Sequence, residues 1–177
     1  WVKLGDIVEI INGTSYNKTN LTSQRDAIRI LRGGNINKNS RKLDLKNDDV
    51  FVSKNLLNNE KTIRKNDIII TGTNDLANIA KCAFADTNLE ATQIGAFLRI
   101  IRGRNENFAK YVFYILSSDF YEQYLKICVS GTVSTLLNVK NEYIENFLIP
   151  LPPLNEQESI AKELDALFSL SKGLGAE

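Results

Sequence analysis

Three observations predict a fold that mixes β-strands with packed α-helices. Ala27-Ile-Arg-Ile-Leu31 alternates like a strand, and Asp67-Ile-Ile-Ile-Thr-Gly72 is a short apolar run that stops at a glycine. Phe108 to Lys126 reads instead as one helix, with Tyr111, Ile115, Leu116, Phe120, Tyr124 and Ile127 recurring on one side. At 177 residues with 43% hydrophobic side chains, the chain suits one domain plus an appendage and can bury a sizeable core. No apolar run reaches the roughly 18 to 20 residues of a membrane helix, and no charged-then-apolar leader is visible. A soluble protein is expected. The chain starts at Trp1 and holds no Met, which predicts a processed or trimmed piece.

Taken in order, Val2, Leu4, Ile7, Val8, Ile10 and Ile11 bracket Gly5-Asp6 as a turn followed by a strand or a short helix; the pattern fits both. Asn12 to Asn20 is a polar loop. The Ala27 strand runs into a glycine-started polar turn, Arg32 to Lys42. Residues 43–62 read as a strand pair or a loop, with a short helix near Ser53 to Asn59. The Asp67 strand follows, running into a turn. Ile79-Ala-Lys-Cys-Ala-Phe84 and Gln93-Ile-Gly-Ala-Phe-Leu-Arg-Ile-Ile101 read as further strands. After the long helix comes a hydroxyl-rich loop, Ser130 to Thr135, then a short helical or turn segment and a last strand, Phe147-Leu-Ile-Pro150.

All three prolines lie in Ile149-Pro-Leu-Pro-Pro-Leu154. Proline lacks a backbone donor and biases the residue before it to extended geometry, so this is a stiff exit. Asn155 is placed to cap a helix, with Glu158 three residues on and Glu156 near the positive end of its dipole. Ile160, Leu164, Leu167 and Phe168 then form one apolar stripe.

Charge is unevenly spread. Residues 1–150 hold 20 of the 22 Lys and Arg and 16 of the 21 Asp and Glu, which leaves that body at +4 and the tail at −3. From Thr14 to Lys42 the basic residues are Lys18, Arg25, Arg29, Arg32, Lys38, Arg41 and Lys42, against Asp26 alone. Such a window suits phosphate neutralisation, which releases condensed counterions. Asn and Arg can each make paired hydrogen bonds to adenine and guanine, but Asn is spread along the whole chain and its abundance carries no weight here.

The motifs of chemistry are missing. There is no His, and Cys82 and Cys128 stand alone, as buried reduced thiols of a cytoplasmic protein would. Thr71-Gly-Thr73 lacks the Gly-Lys-Ser/Thr of a phosphate loop and the glycines of a dinucleotide turn. The only Pro-Pro, in Leu151-Pro-Pro-Leu154, cannot supply the Asn-Pro-Pro-aromatic loop with which adenine methyltransferases hold a flipped base. Neither a nuclease carboxylate-lysine series nor an activated nucleophile is signposted. No catalytic and no metal residue is assigned.

Ile149-Pro-Leu-Pro-Pro-Leu-Asn-Glu-Gln-Glu-Ser-Ile-Ala161 resembles the stretch that closes each target recognition domain in specificity subunits of type I restriction-modification systems. Trp1-Val-Lys-Leu-Gly-Asp-Ile7, Ile63-Arg-Lys-Asn-Asp-Ile-Ile-Ile-Thr-Gly72 and Gly131-Thr-Val-Ser-Thr-Leu-Leu-Asn138 resemble that family's opening, central strand and pre-exit turn, so the likeness covers nearly the whole chain. It implies an α+β target recognition domain at 1–150, with a twisted mixed or antiparallel sheet and packed helices. A proline hinge at 151–154 and a spacer or dimerisation helix at 155–177 would follow.

The function implied is recognition of one half-site of a bipartite DNA target, without catalysis by this chain. Methyltransferase subunits using S-adenosylmethionine and a restriction subunit using ATP and Mg would do the chemistry. Candidate DNA contacts are Tyr16, Lys18, Arg32, Lys38 and Arg41 for backbone or bases, and Thr14, Asn35, Asn37, Thr73, Asn74, Thr132 and Ser134 facing a groove. The stripe of Ile160, Leu164, Leu167 and Phe168 would pair with an equivalent helix, as a ruler between two readers. A full family member has two recognition domains, so both a self-pairing half-length subunit and a fragment stay open, the former favoured. The rival reading is a protein-interaction module that docks through its acidic helix; a standalone enzyme fits least.

Overall fold

The computed structural model describes residues 1–23, 27–46, 50–130 and 137–174. In chain order the elements are β1 (Val2–Lys3), α1 (Leu4–Ile7), β2 (Val8–Asn12), β3 (Ile28–Leu31), β4 (Ile36–Asn37), β5 (Lys42–Leu43), β6 (Val50–Val52), β7 (Ile68–Thr71), β8 (Thr73–Asn74), β9 (Cys82–Phe84), β10 (Thr92–Ile94), β11 (Leu98–Gly103), α2 (Ala109–Leu116), α3 (Asp119–Cys128), β12 (Leu137–Asn138), α4 (Asn141–Glu145), β13 (Leu148–Ile149) and α5 (Leu154–Leu174). The fold is α+β with mixed and antiparallel sheets, as the sequence reading expects.

A six-stranded sheet, ordered β2-β11-β7-β9-β5-β4, is the frame. Its central strands are buried on both faces, which is why Ile68-Ile-Ile70 reads as a continuous run rather than an alternation. Ile68 and Ile70 point with Val8, Cys82 and Ile101 into a core shared with α2, α3 and α4. Ile69 points the other way, with Ile11, Ala83 and Ile100, into a second core that also takes Leu31 and Ile94 of a three-stranded sheet ordered β10-β3-β6. β1 pairs antiparallel with β13, so Val2 meets Ile149 and the two ends of the body are tied together.

Two segments differ from their sequence reading. Gln93 to Ile101 is two strands in two sheets, because the chain turns at Gly95-Ala-Phe97, where the Leu98 N–H donates to the Gly95 carbonyl at 2.9 Å. Phe108 to Lys126 is two helices. The Ser117 hydroxyl donates to the Phe113 carbonyl at 2.8 Å, and the Ser118 hydroxyl accepts from the Tyr121 N–H as the cap of α3. The break resets the helical phase. Tyr121 and Leu125 are fully buried, whereas Phe120 and Ile127, assigned to the buried stripe by unbroken periodicity, are 64% and 72% exposed.

The tail helix also begins differently. It starts at Leu154, so Asn155 lies inside its first turn and is not the cap. The Pro153 carbonyl accepts from the Glu156 and Gln157 N–H groups at 3.0 and 3.1 Å, and buried Gln157 donates its Nε2 to the Pro152 carbonyl at 2.7 Å. The stripe itself is divided. Ile160 packs on the main core, Leu164 shares an apolar groove with Tyr111, Tyr114 and Ile115, and Phe168 stacks on Tyr114 with ring centroids 5.6 Å apart. Tyr114 also donates its hydroxyl to Asp165. Burial and this carboxylate push the Tyr114 pKa up. Leu167, in contrast, is 61% exposed and looks outward, while Phe168 keeps 37% of its surface exposed beside its stack on Tyr114.

Candidate nucleic-acid interface

The sheet topology sends particular loops to one end. β2 and β7 run the same way and β11 runs between them in reverse, with Asn12 opposite Arg99 and Thr71 opposite Leu98. The ends of β2 and β7 and the start of β11 therefore lie together. Three loop segments meet there: Gly13-Thr-Ser-Tyr16, the Gly95-Ala-Phe97 turn, and Arg32 after β3. Thr14, Ser15, Tyr16, Arg32, Ala96 and Phe97 line an open cavity of about 590 Å³. β8 runs on from Gly72 at the same end, where it pairs with β12.

The backbones at this end interlock. The Thr14 N–H donates to the Ile94 carbonyl at 2.7 Å, and the Gly95 N–H donates to the Leu31 carbonyl at 2.8 Å. A Cβ on Gly13 would lie 2.0 Å from the Gly95 carbonyl oxygen, so only glycine lets the two loops approach this closely. The loops are a fixed surface on the end of the sheet.

The candidate residues sort into several groups. Tyr16, half-buried, and Arg32, exposed, are brought together at the cavity, with the backbones of Thr73 and Asn74 on β8 nearby at the sheet end. Lys18 is exposed on a 3-10 turn, Lys18–Asn20, held by the Asn17 side chain. Thr14 is buried and its hydroxyl accepts from Gln93 Nε2 at 3.0 Å, so it braces the loop more than it faces solvent. Asn35 is overturned as a groove-facing residue. It is 0% exposed, its Oδ1 accepting from the Arg32 N–H at 2.7 Å and its Nδ2 donating to the Asp44 carbonyl at 2.9 Å. Asn37 spends its Oδ1 on the Asn39 and Ser40 N–H groups of the β4–β5 turn.

Lys38 donates to the Ala77 carbonyl at 2.7 Å and remains exposed. Close by, Lys81 donates to the Gly33 carbonyl at 2.8 Å, and its pKa is lowered by burial and then by the Lys38 charge, with Asp75 opposing. Arg41 departs from the group. Its guanidinium lies 4.8 Å from the Phe168 ring centre, a cation–π contact that ties the β4–β5 turn to α5. Thr132 and Ser134 lie outside the described residues.

The family model of the type I restriction modification DNA specificity domain matches residues 1–177. The chain belongs to that family. The type I restriction enzyme EcoKI specificity subunit of Escherichia coli strain K12 is 28% identical over 174 residues, covering 96% of this chain and 36% of the relative. The StySPI specificity subunit of Salmonella potsdam is 29% identical over 166 residues, covering 92% and 35%. The chain thus spans little more than a third of the length of these relatives. Among solved structures, the HsdS subunit from Thermoanaerobacter tengcongensis aligns with a TM-score of 0.69 at 22% identity, over 100% of this chain and 40% of that one. The type I restriction-modification S subunit from M. genitalium aligns at 0.63 and 17% identity, over 98% and 40%. At these identities the structural likeness speaks for the fold.

Two residues of this specificity domain escape the sequence reading. Phe97 reads as a strand residue by periodicity; the Gly95 ahead of it is the signal of a turn. Arg99 looks like an ordinary polar position on a strand. In the structure it donates Nη1 to the Ala96 and Leu98 carbonyls at 2.9 Å each and Nε to Asn141 Oδ1 at 3.0 Å, and Asn141 in turn donates to Asn12. Burial lowers the Arg99 pKa. Three residues along the same strand, Arg102 does a different job, gripping buried Asp67 through two hydrogen bonds of 2.8 Å. Arg102 is part of the frame, and Arg99 braces the loops at its end. Among the described residues no His, Cys, Asp or Glu cluster could hold a metal ion, and no helix is long and apolar enough to cross a membrane.

Proposed function

We propose that this chain reads one half of a split duplex DNA sequence as the specificity component of a type I restriction-modification complex in the cytoplasm. The observation that carries the reading is the convergence of Tyr16, Arg32 and the Gly95–Phe97 turn on one end of the six-stranded sheet; Lys18, two residues on from Tyr16, and Lys38 are exposed cations besides. Cationic and aromatic groups on a rigid platform suit a polyanion whose base edges must be met in register. Family membership supports the same reading. Methylation, with S-adenosylmethionine, and ATP- and Mg-dependent restriction belong on this account to methyltransferase and restriction subunits, and this chain supplies binding alone.

Residues 1–150 act as the reader, 151–154 as a stiff joint and 155–177 as the spacer. The spacer leaves Leu167, and one turn on Leu170, for an equivalent helix of a second specificity half or a second copy. The narrowness of that outward face argues for a pairing that holds two bodies at a set separation, more than for general docking.

The experiment is selection of bound sequences from random duplexes, with the chain assembled with its methyltransferase subunit. One short sequence should be enriched. Arg32→Ala and Lys38→Ala should each lower the slope of log affinity against log salt by about 0.9 for every phosphate no longer neutralised. Binding without enrichment of any sequence, and with both variants at the parental slope, would remove the reading.

A further inference from the structure

Phe97 is 65% exposed, and a single exposed apolar side chain is ordinary by itself. Its setting is not ordinary. The Phe97 carbonyl accepts from the Gly72 N–H at 2.8 Å, the residue before it is held through its carbonyl by Arg99, and the turn closes through the Leu98 N–H. The ring is therefore presented from a turn whose backbone is held at three successive residues, beside the pocket it shares with Tyr16 and Arg32.

We propose that Phe97 is a specificity-determining residue that reads the 5-methyl group of a thymine in the major groove. The inference rests on the DNA-reading function above and names the chemistry of one contact within it. A phenyl ring offers neither donor nor acceptor, and the one apolar mark on the major-groove edge of a base pair is the thymine methyl. A wedge that unstacks base steps from the minor groove is the other use open to an exposed ring. Phe97 instead forms part of the wall of a recess, shared with Tyr16, Ala96 and Leu98. A methyl can enter such a recess, and Arg32 on the same rim supplies the charged contact that sets its register.

The test uses the chain assembled with its methyltransferase subunit and the duplex it selects. Each thymine of the site is replaced in turn by uracil, which removes only the methyl. At one position the parental protein should lose roughly fourfold in affinity, the worth of one buried methyl-sized group. Phe97→Ala should bind thymine and uracil equally at that position and discriminate as before at every other, with an unchanged thermal midpoint. Phe97→Leu, which keeps an apolar side chain, should retain most of the preference. The assignment is overturned if Phe97→Ala responds to uracil as the parent does at every position, or if the site selected contains no thymine. It is also overturned if 2-aminopurine placed beside the site reports unstacking that only the parent causes, which would make Phe97 a wedge. If the parental complex enriches no sequence, the DNA-reading function itself has failed and this contact falls with it.

Discussion

Asn35→Ala separates scaffold from reader at the residue where sequence and structure disagree most. Its side chain joins the Arg32 N–H to the Asp44 carbonyl, and its own backbone carbonyl accepts from the Asp44 N–H at 2.7 Å. Removing the amide strips one partner from each of two backbone groups. A buried group left without its partner costs about 1–3 kcal/mol. Arg32 is exposed and Asp44 only half-buried, so water recovers part of that loss. The sum to expect is about 2–3 kcal/mol. In urea, with a slope in the upper part of the roughly 1–3 kcal/mol/M of small proteins, as suits a chain of this size, the unfolding midpoint should fall by about 1 M at unchanged slope. Sequences selected from random duplexes should keep their base preferences, because the amide never meets DNA. Asn35→Asp keeps the acceptor but turns a carboxylate on the Asp44 carbonyl, and should recover no stability. An unmoved midpoint together with a changed preference at one position would refute the reasoning and restore Asn35 as a reader.

Arg102→Ala should be among the most destabilising single changes. It strands the Asp67 carboxylate, 1% exposed, without its cation, and breaking such a pair costs about 3–5 kcal/mol. A double-mutant cycle with Asp67→Asn, followed by urea unfolding, should show strong coupling between the two sites. Burial pushes the Cys82 thiol up to about 12, against the smaller opposing effects of Arg41 and Ser117. Only the thiolate is nucleophilic, so at pH 8 the reactive fraction is on the order of 10⁻⁴. A thiol reagent at that pH should modify half-exposed Cys128 first and Cys82 only once urea unfolds the chain; prompt native labelling of both would contradict the burial argument.

The legible parts of the fold are those where one local signal dominates. Ile68-Ile-Ile70 is apolar on both sides of its pleat and could only be an interior strand. The prolines at 150, 152 and 153 could only end something. The parts that stayed hidden depend on competition between signals. Ser117-Ser118 is compatible with a helix, and only the tertiary fit of Tyr121 and Leu125 decides that the helix restarts there with a new phase. Gly95 is a weak break within an apolar run, so the turn that presents Phe97 is masked by good strand residues on either side. Asn35 carries the same amide as any surface asparagine, and its burial follows from the closure of a turn on Asp44, nine residues away. The stripe on α5 shows the same limit. Periodicity finds an apolar face but does not say whether the partner is another chain or, as for Ile160, Leu164 and Phe168, largely this chain's own body.

The claim beneath all of this is that duplex DNA meets the end of the sheet where β2 and β7 finish and β11 begins. Ser15 is exposed at that end, and Asp6 is exposed on α1, ahead of β2 at the opposite end. With a photo-crosslinking side chain at either position, in the chain assembled with its methyltransferase subunit and bound to its selected duplex, irradiation reads the contact directly. The account predicts a protein–DNA adduct from position 15 and none from position 6. An adduct from position 6 with position 15 silent would contradict it.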